Sequence, residues 1–178
     1  MNAFSHFGIC VSDLDRSLRF YCDGLGFEQT QSHSVGAEFG PLMEVDQPKL
    51  ESRFITRDGV SIELLWFADP GHTGDGSRRP MNQLGLTHLS FTVDDVAATA
   101  ARLEGLGGAV VGGTRTTFAP TLDFVYCTDP DGARIELMRL PTLRPRGSWM
   151  PESGTQLPLG RRGQGAVSAR VTAPCVRA

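Results

Sequence analysis

The sequence predicts an α+β fold built from two copies of one strand–helix–strand unit, followed by an irregular tail. Two observations predict it: an internal repeat, and a hydrophobic period that changes from two to about 3.6 and back within each copy. Ser5-His6-Phe7-Gly8-Ile9-Cys10-Val11-Ser12-Asp13-Leu14 resembles Thr87-His88-Leu89-Ser90-Phe91-Thr92-Val93-Asp94-Asp95-Val96. Further on, Asp58-Gly59-Val60-Ser61-Ile62-Glu63-Leu64 resembles Asp131-Gly132-Ala133-Arg134-Ile135-Glu136-Leu137 in the same order. The copies are read as modules over 4–67 and 86–140, joined by a connector at 68–85.

Each copy opens on a strand. Phe7, Ile9 and Val11 alternate with His6, Gly8 and Cys10, and Leu89, Phe91 and Val93 alternate with His88, Ser90 and Thr92, so opposite faces meet opposite environments. A helix follows each strand. Ser12 or Asp13 in the first copy, and Asp94 or Asp95 in the second, offer side-chain oxygens to the free N–H groups of the opening turn. Leu14, Leu18, Tyr21 and Leu25 form an apolar stripe at helical spacing, as do Val96, Ala100 and Leu103. Gly24 or Gly26, and Gly107-Gly108, supply backbone that ends a helix.

Hairpins close both copies. Arg53 to Thr56 and Val60 to Leu65 flank Asp58-Gly59, a strong turn signal. Phe124 to Cys127 and Ala133 to Met138 flank Pro130-Asp131-Gly132 in the same manner. Residues 36–48 are consistent with an inserted loop or an extra strand. The connector is rich in Gly, Pro, Asp and Arg. The tail at 141–178 holds five Pro and five Gly with little periodicity, which suits an irregular arm or a disordered one.

Composition narrows the function classes. At 178 residues the chain buries a real core, and a net charge of −3 gives no reason to expect nucleic acid as a partner. Before position 141 there are 11 basic and 19 acidic side chains; after it there are six Arg and one Glu. The body is therefore acidic and the appendage basic. Cys10, Cys22, Cys127 and Cys175 form no C-x-x-C pair, and the first residues lack the pattern of a secretory leader. Free thiols in a reducing cytoplasmic setting are the expectation. No stretch approaches the roughly 18–20 apolar residues needed to span a bilayer, so no membrane is expected as a partner.

The chemistry rests on four residues at repeated positions: His6 and His88 near the start of each first strand, Glu63 and Glu136 within each last one. Ile62-Glu63-Leu64 and Ile135-Glu136-Leu137 put a carboxylate between aliphatics, costly to bury without a partner. Because strand neighbours face opposite ways, the aliphatics can meet a helix-covered core while the carboxylates face the other side. Two imidazoles and two carboxylates suit one divalent ion such as Ni, Co, Zn, Mn or Fe(II). The remaining candidates have plainer readings. His33 and His72 lie in loop-like stretches and read as solvated. Trp66, Phe67, Phe54, Phe91, Phe124 and Tyr126 read mostly as core, though some could line an apolar pocket; Arg53 and Arg134 could meet an anionic substrate but read first as paired surface charges. Asp58 and Asp131 read as turn residues without a chemical role.

At these residues the sequence resembles the vicinal oxygen chelate superfamily, which includes glyoxalase I, methylmalonyl-CoA epimerase, extradiol dioxygenases and fosfomycin or bleomycin resistance proteins. The resemblance lies in His6-x-Gly-Ile-x-Val-x-Asp13-Leu14 with Ser17, Phe20-Tyr21 and Leu25-Gly26-Phe27. Thr128-Asp129-Pro130-Asp131-Gly132 leading to Ile135-Glu136-Leu137 adds a second signature. It implies paired βαβββ modules whose curved mixed sheets form a cup around a metal site, with ligands at His6, Glu63, His88 and Glu136. The four-ligand set is similar to that of glyoxalase I and the epimerases; the extradiol and fosfomycin-resistance proteins use two His and one carboxylate. Glyoxalase I enzymes often carry an Arg and an Asn that grip glutathione, where Cys10 and Phe67 stand here, which points away from glutathione.

The reaction implied is that of an isomerase, epimerase or lyase moving a proton beside a carbonyl of a small-molecule substrate. Glu136 is the first choice of base, with Glu63 serving the opposite face. A ring-cleaving dioxygenase, and a small-molecule-binding resistance-type protein without catalysis, are the alternatives. The resemblance also implies a homodimer whose cups are completed either side by side or by exchange of modules.

Overall fold

The computed structural model describes residues 2–119 and 122–140; the tail expected at 141–178 lies outside the described residues. In chain order, β1 (Phe7–Cys10) leads to α1 (Leu14–Leu18), which widens into a π-helical segment over Arg19–Gly24. Then come β2 (Glu28–Val35), a 3₁₀ turn over Ala37–Phe39 running into α2 (Gly40–Met43), β3 (Lys49–Arg57) and β4 (Val60–Asp69). The second copy holds β5 (Leu89–Thr92), α3 (Val96–Gly105), β6 (Ala109–Val110), β7 (Thr116–Ala119), β8 (Leu122–Thr128) and β9 (Arg134–Arg139).

The strands form two mixed sheets, ordered β1-β4-β3-β2 and β5-β9-β8-β6, with β7 also paired to β8. In each, the first strand lies parallel to the last, and the remaining pairs are antiparallel. Neither sheet closes on itself. This is the α+β architecture that the repeat predicts, with the βαβββ order that the resemblance implies, and the second copy carries one strand more.

Capping follows the sequence chemistry, with one choice made at each helix. Asp13 accepts from Arg16 N at 2.9 Å and Asp95 from Ala98 N at 2.9 Å, satisfying donors that the first turn leaves open. The segment at 36–48 is neither loop nor strand: its centre is the short helical run just described.

One apolar core serves both copies. Val11, Phe20, Tyr21, Leu25, Ile55, Ile62 and Leu64 belong to the same cluster as Val96, Leu103, Val125, Cys127, Ile135 and Leu137. Phe27 and Phe91 meet edge to face across it, ring centroids 6.0 Å apart. Polar bonds also cross between the copies. Asp131 accepts from Ser12 N at 3.0 Å, from Ser12 Oγ at 2.5 Å and from Arg16 Nη2 at 2.8 Å. The Tyr21 hydroxyl donates to Asp129 at 2.8 Å, and Asp129 also accepts from Asp131 N and Ala133 N. Asp131 is thus more than a turn residue, for it ties the turn before β9 to the start of α1. Gly132 completes that turn at φ +87°, where an added Cβ would lie 2.1 Å from the Gly76 carbonyl oxygen.

Both copies therefore turn their helices inward to the common core, leaving the opposite face of each sheet open. Ile62, Leu64, Ile135 and Leu137 are buried on the helix side, whereas Glu63 and Glu136 are only partly buried. The open faces carry the candidate site.

Candidate metal centre

In the first copy His6 precedes β1, and Glu63 on β4 lies opposite Gly8. His6 Nε2 is 3.2 Å from Glu63 Oε2. The other ring nitrogen, Nδ1, is hydrogen-bonded to the Ser5 hydroxyl at 2.9 Å. Ser52, buried on β3, donates to Glu63 Oε1 at 2.6 Å. Phe54, directly opposite Glu63, meets the His6 ring edge-on with centroids 5.0 Å apart.

The second copy repeats this arrangement. His88 Nε2 is 3.6 Å from Glu136 Oε2 on β9, and His88 Nδ1 is bonded to the Thr87 hydroxyl at 2.9 Å. Ser90, opposite Glu136, donates to Oε2 at 2.7 Å. Tyr126, also opposite Glu136, meets the His88 ring with centroids 5.6 Å apart. Burial first, and then a hydrogen bond to Glu136, push the Tyr126 hydroxyl above its ordinary range, so it stays protonated.

The structure brings the four residues together two by two. Among the described residues no group of three or more His, Cys, Asp or Glu side chains is positioned to hold one ion. Within each pair the donor atoms are nonetheless spaced much as two ligands of one ion would be. Ligands bound at about 2.0–2.2 Å to one ion stand roughly 3.0–3.5 Å apart, and the two N···O separations of 3.2 and 3.6 Å lie close to that. Fixing Nδ1 on a hydroxyl leaves Nε2 facing the carboxylate, and the serine bonds orient the carboxylates in turn.

Several site neighbours carry no clear sequence signal. His33 lies on β2 rather than in a loop, opposite Ser52, and touches the Phe54 ring at 5.7 Å. Cys10 shares the open face with Glu63 through its register with Leu65, and Phe67 lies two pleats beyond Glu63. Phe54 and Tyr126 are walls beside the imidazoles rather than core; their only signal is that each stands at the same place in its copy. Arg53 is ion-paired with Glu51 at 3.1 Å, as a surface charge should be. Arg134 is not, being only 6% exposed. His72 is exposed in the irregular stretch between the sheets.

Residues 3–137 match the Glyoxalase/Bleomycin resistance protein/Dioxygenase superfamily. The chain belongs to that superfamily. Its relatives in the superfamily include a probable lactoylglutathione lyase of Synechocystis, 28% identical over 134 residues and covering 75% of this chain and 92% of the relative. A 2-epi-5-epi-valiolone epimerase of Actinomyces is 27% identical over 173 residues, covering 85% and 93%. Among solved structures, a glyoxalase family protein from Bacillus cereus superposes with a TM-score of 0.66 at 26% identity, covering 78% of this chain and 93% of that one. No helix among the described residues is long and apolar enough to cross a membrane.

Proposed function

We propose that the chain is a metal-dependent isomerase, epimerase or lyase that moves a proton beside a carbonyl of a small molecule. The observation that carries the reading is the duplicated His–Glu pair, with each imidazole and each carboxylate held by its own hydroxyl. Because the pairs stand apart, a second copy of the chain completes the set. His6 and Glu63 of one copy then face His88 and Glu136 of the other across a homodimer. A divalent ion such as Ni, Co, Zn, Mn or Fe(II), when bound there, polarises substrate oxygens and makes the neighbouring C–H acidic.

The chain's own groups do the rest. Glu136 receives the α-proton and returns it, while the Ser90 hydroxyl keeps one of its oxygens oriented. Glu63 stands ready for the opposite face, which is what an epimerisation needs. Phe54 and Tyr126 flank the imidazoles and limit water beside them. Cys10 and Phe67 give the first module a thiol and an apolar ring where a glutathione carboxylate would need an amide or a guanidinium, so glutathione is not the proposed substrate.

The deciding experiment replaces Glu136 by Gln, loads the metal and follows solvent deuterium into candidate α-hydroxy carbonyl and acyl-CoA substrates. Exchange should fall by two orders of magnitude or more, and undiminished exchange would remove Glu136 as the base. Oxygen uptake with catechols would instead support the ring-cleaving alternative. Stoichiometric binding without turnover, persisting after chelation, would support a binding protein.

A further inference from the structure

Beside His88 lies a cavity of about 210 Å³, whose lining includes Arg79 and Arg134. None of its lining residues is acidic. Arg134 is buried, and its guanidinium lies over the Tyr126 ring, 5.5 Å from the centroid. Of its five N–H donors, one reaches the Arg79 carbonyl at 2.8 Å and one the Met81 sulfur at 3.1 Å. Arg79, itself exposed, donates to the Leu84 carbonyl at 2.6 Å. Among the described residues neither guanidinium has a carboxylate within ion-pair distance.

A buried cation is costly unless something of opposite sign meets it. The other arginine expected to lie on a strand, Arg53, has Glu51 for that purpose. Arg134 has carbonyl, sulfur and ring contacts, each of which compensates a positive charge only in part. Its place on β9 is also telling. Arg134 and Glu136 are two residues apart and face the same way, about 7 Å along the strand, opposite Thr128 and Tyr126 respectively. An anion held in the cavity would therefore sit one pleat from the proton-transferring carboxylate.

We propose that this cavity binds a carboxylate or phosphate group of the substrate, gripped by Arg134 and Arg79. The inference rests on the reading of His88 and Glu136 as the reaction centre, and it narrows the substrate to an anionic carbonyl compound. The planar guanidinium of Arg134 suits two-point contact with such an oxyanion. Arg79, on the irregular segment before β5, also lines the cavity.

The test uses the full chain freed of metal by chelation and desalting, with inorganic phosphate as the probe, titrated by calorimetry. Saturable binding is expected. Arg79→Gln and Arg134→Gln should each weaken it about tenfold or more, while Arg53→Gln, whose side chain is paired elsewhere, leaves it unchanged. Should Arg134→Gln lose its fold by circular dichroism, the exposed Arg79→Gln decides alone. Absence of binding, or a loss no greater than that of Arg53→Gln, overturns the proposal. Because no metal is present, failure of the metal-dependent reading leaves this result untouched, and the reverse also holds.

Discussion

Ser52 and Ser90 each spend a hydroxyl on a glutamate that the sequence marks as important, although neither serine is conspicuous by itself. Ser52 is 2% exposed and donates to Glu63 Oε1, while Ser90 donates to Glu136 Oε2. Partners of this kind orient ligands, and their loss typically costs 10–100-fold in metal affinity. Ser52→Ala and Ser90→Ala are therefore each expected to weaken divalent-ion binding by about that factor, measured by competition with a chromophoric chelator. Unchanged affinity in both would show that the carboxylates need no such help. The ligand-competent residues themselves were legible because duplication repeats them in order. Their neighbours were not, since a serine or phenylalanine on a strand looks alike whether it lines a site or merely packs. Arg134 shows the limit plainly: the sequence places it on a strand, but only the fold shows that its neighbours exclude water and supply no carboxylate.

At the level of elements, the turn Asp129–Gly132 fixes where β9 begins and hence where Glu136 sits. Gly132 has φ +87°, and a Cβ there would meet the backbone of Gly76. Strain at positive φ costs a non-glycine residue about 1–3 kcal/mol, and the collision adds to it. Gly132→Ala should therefore lower stability by at least about 2 kcal/mol, read from urea unfolding; a smaller change would mean that the turn relaxes freely. The elements of this region were legible, because Asp-Gly and Pro-Asp-Gly between apolar runs specify hairpins. The strand β2 was not. Glu28 to Ser34 are exposed on both faces, so no alternation of polar and apolar residues announces the strand, and His33 reads as a loop residue in consequence. The helical run at 37–43 was illegible for a related reason: it is too short to show a period.

Across the whole molecule, the two copies share one interior, and Tyr21 is its polar rivet. Its hydroxyl lies in the core and donates to Asp129, whose carboxyl burial pushes upward in pKa. Tyr21→Phe leaves that carboxyl short of a donor and should cost about 1–3 kcal/mol. Burial first, then the Asp129 charge, also hold the Tyr21 hydroxyl well above its ordinary range. With the folded value raised, this contribution is intact below about pH 10, where the unfolded tyrosine ionises. It is lost progressively as the pH rises further, because only the unfolded chain gives up the proton. Unfolding free energy should therefore fall more steeply above about pH 10 in the native sequence than in Tyr21→Phe; parallel slopes would assign the alkaline loss to other groups. Assembly has its own test. A chain carrying His6→Ala and Glu63→Gln, mixed with one carrying His88→Ala and Glu136→Gln, should regain activity if each site is completed by two copies. Neither chain alone should be active, and a mixture that stays silent would argue for sites completed within one chain. The two-module plan was legible from the repeat and the strand order from the resemblance, whereas the separation of the two His–Glu pairs was not, because nothing in a linear order says which faces look at each other.

The shared interior makes each repeat depend on the other. A free-standing single repeat would expose Ile135, Leu137 and their counterparts to water once the other repeat was gone, so such a polypeptide could persist only by pairing with its twin. One continuous chain supplies that twin by itself, so the halves need not be identical. Phe54 stands beside the imidazole of one half and Tyr126 beside that of the other, so only the second pair has a hydroxyl on its wall.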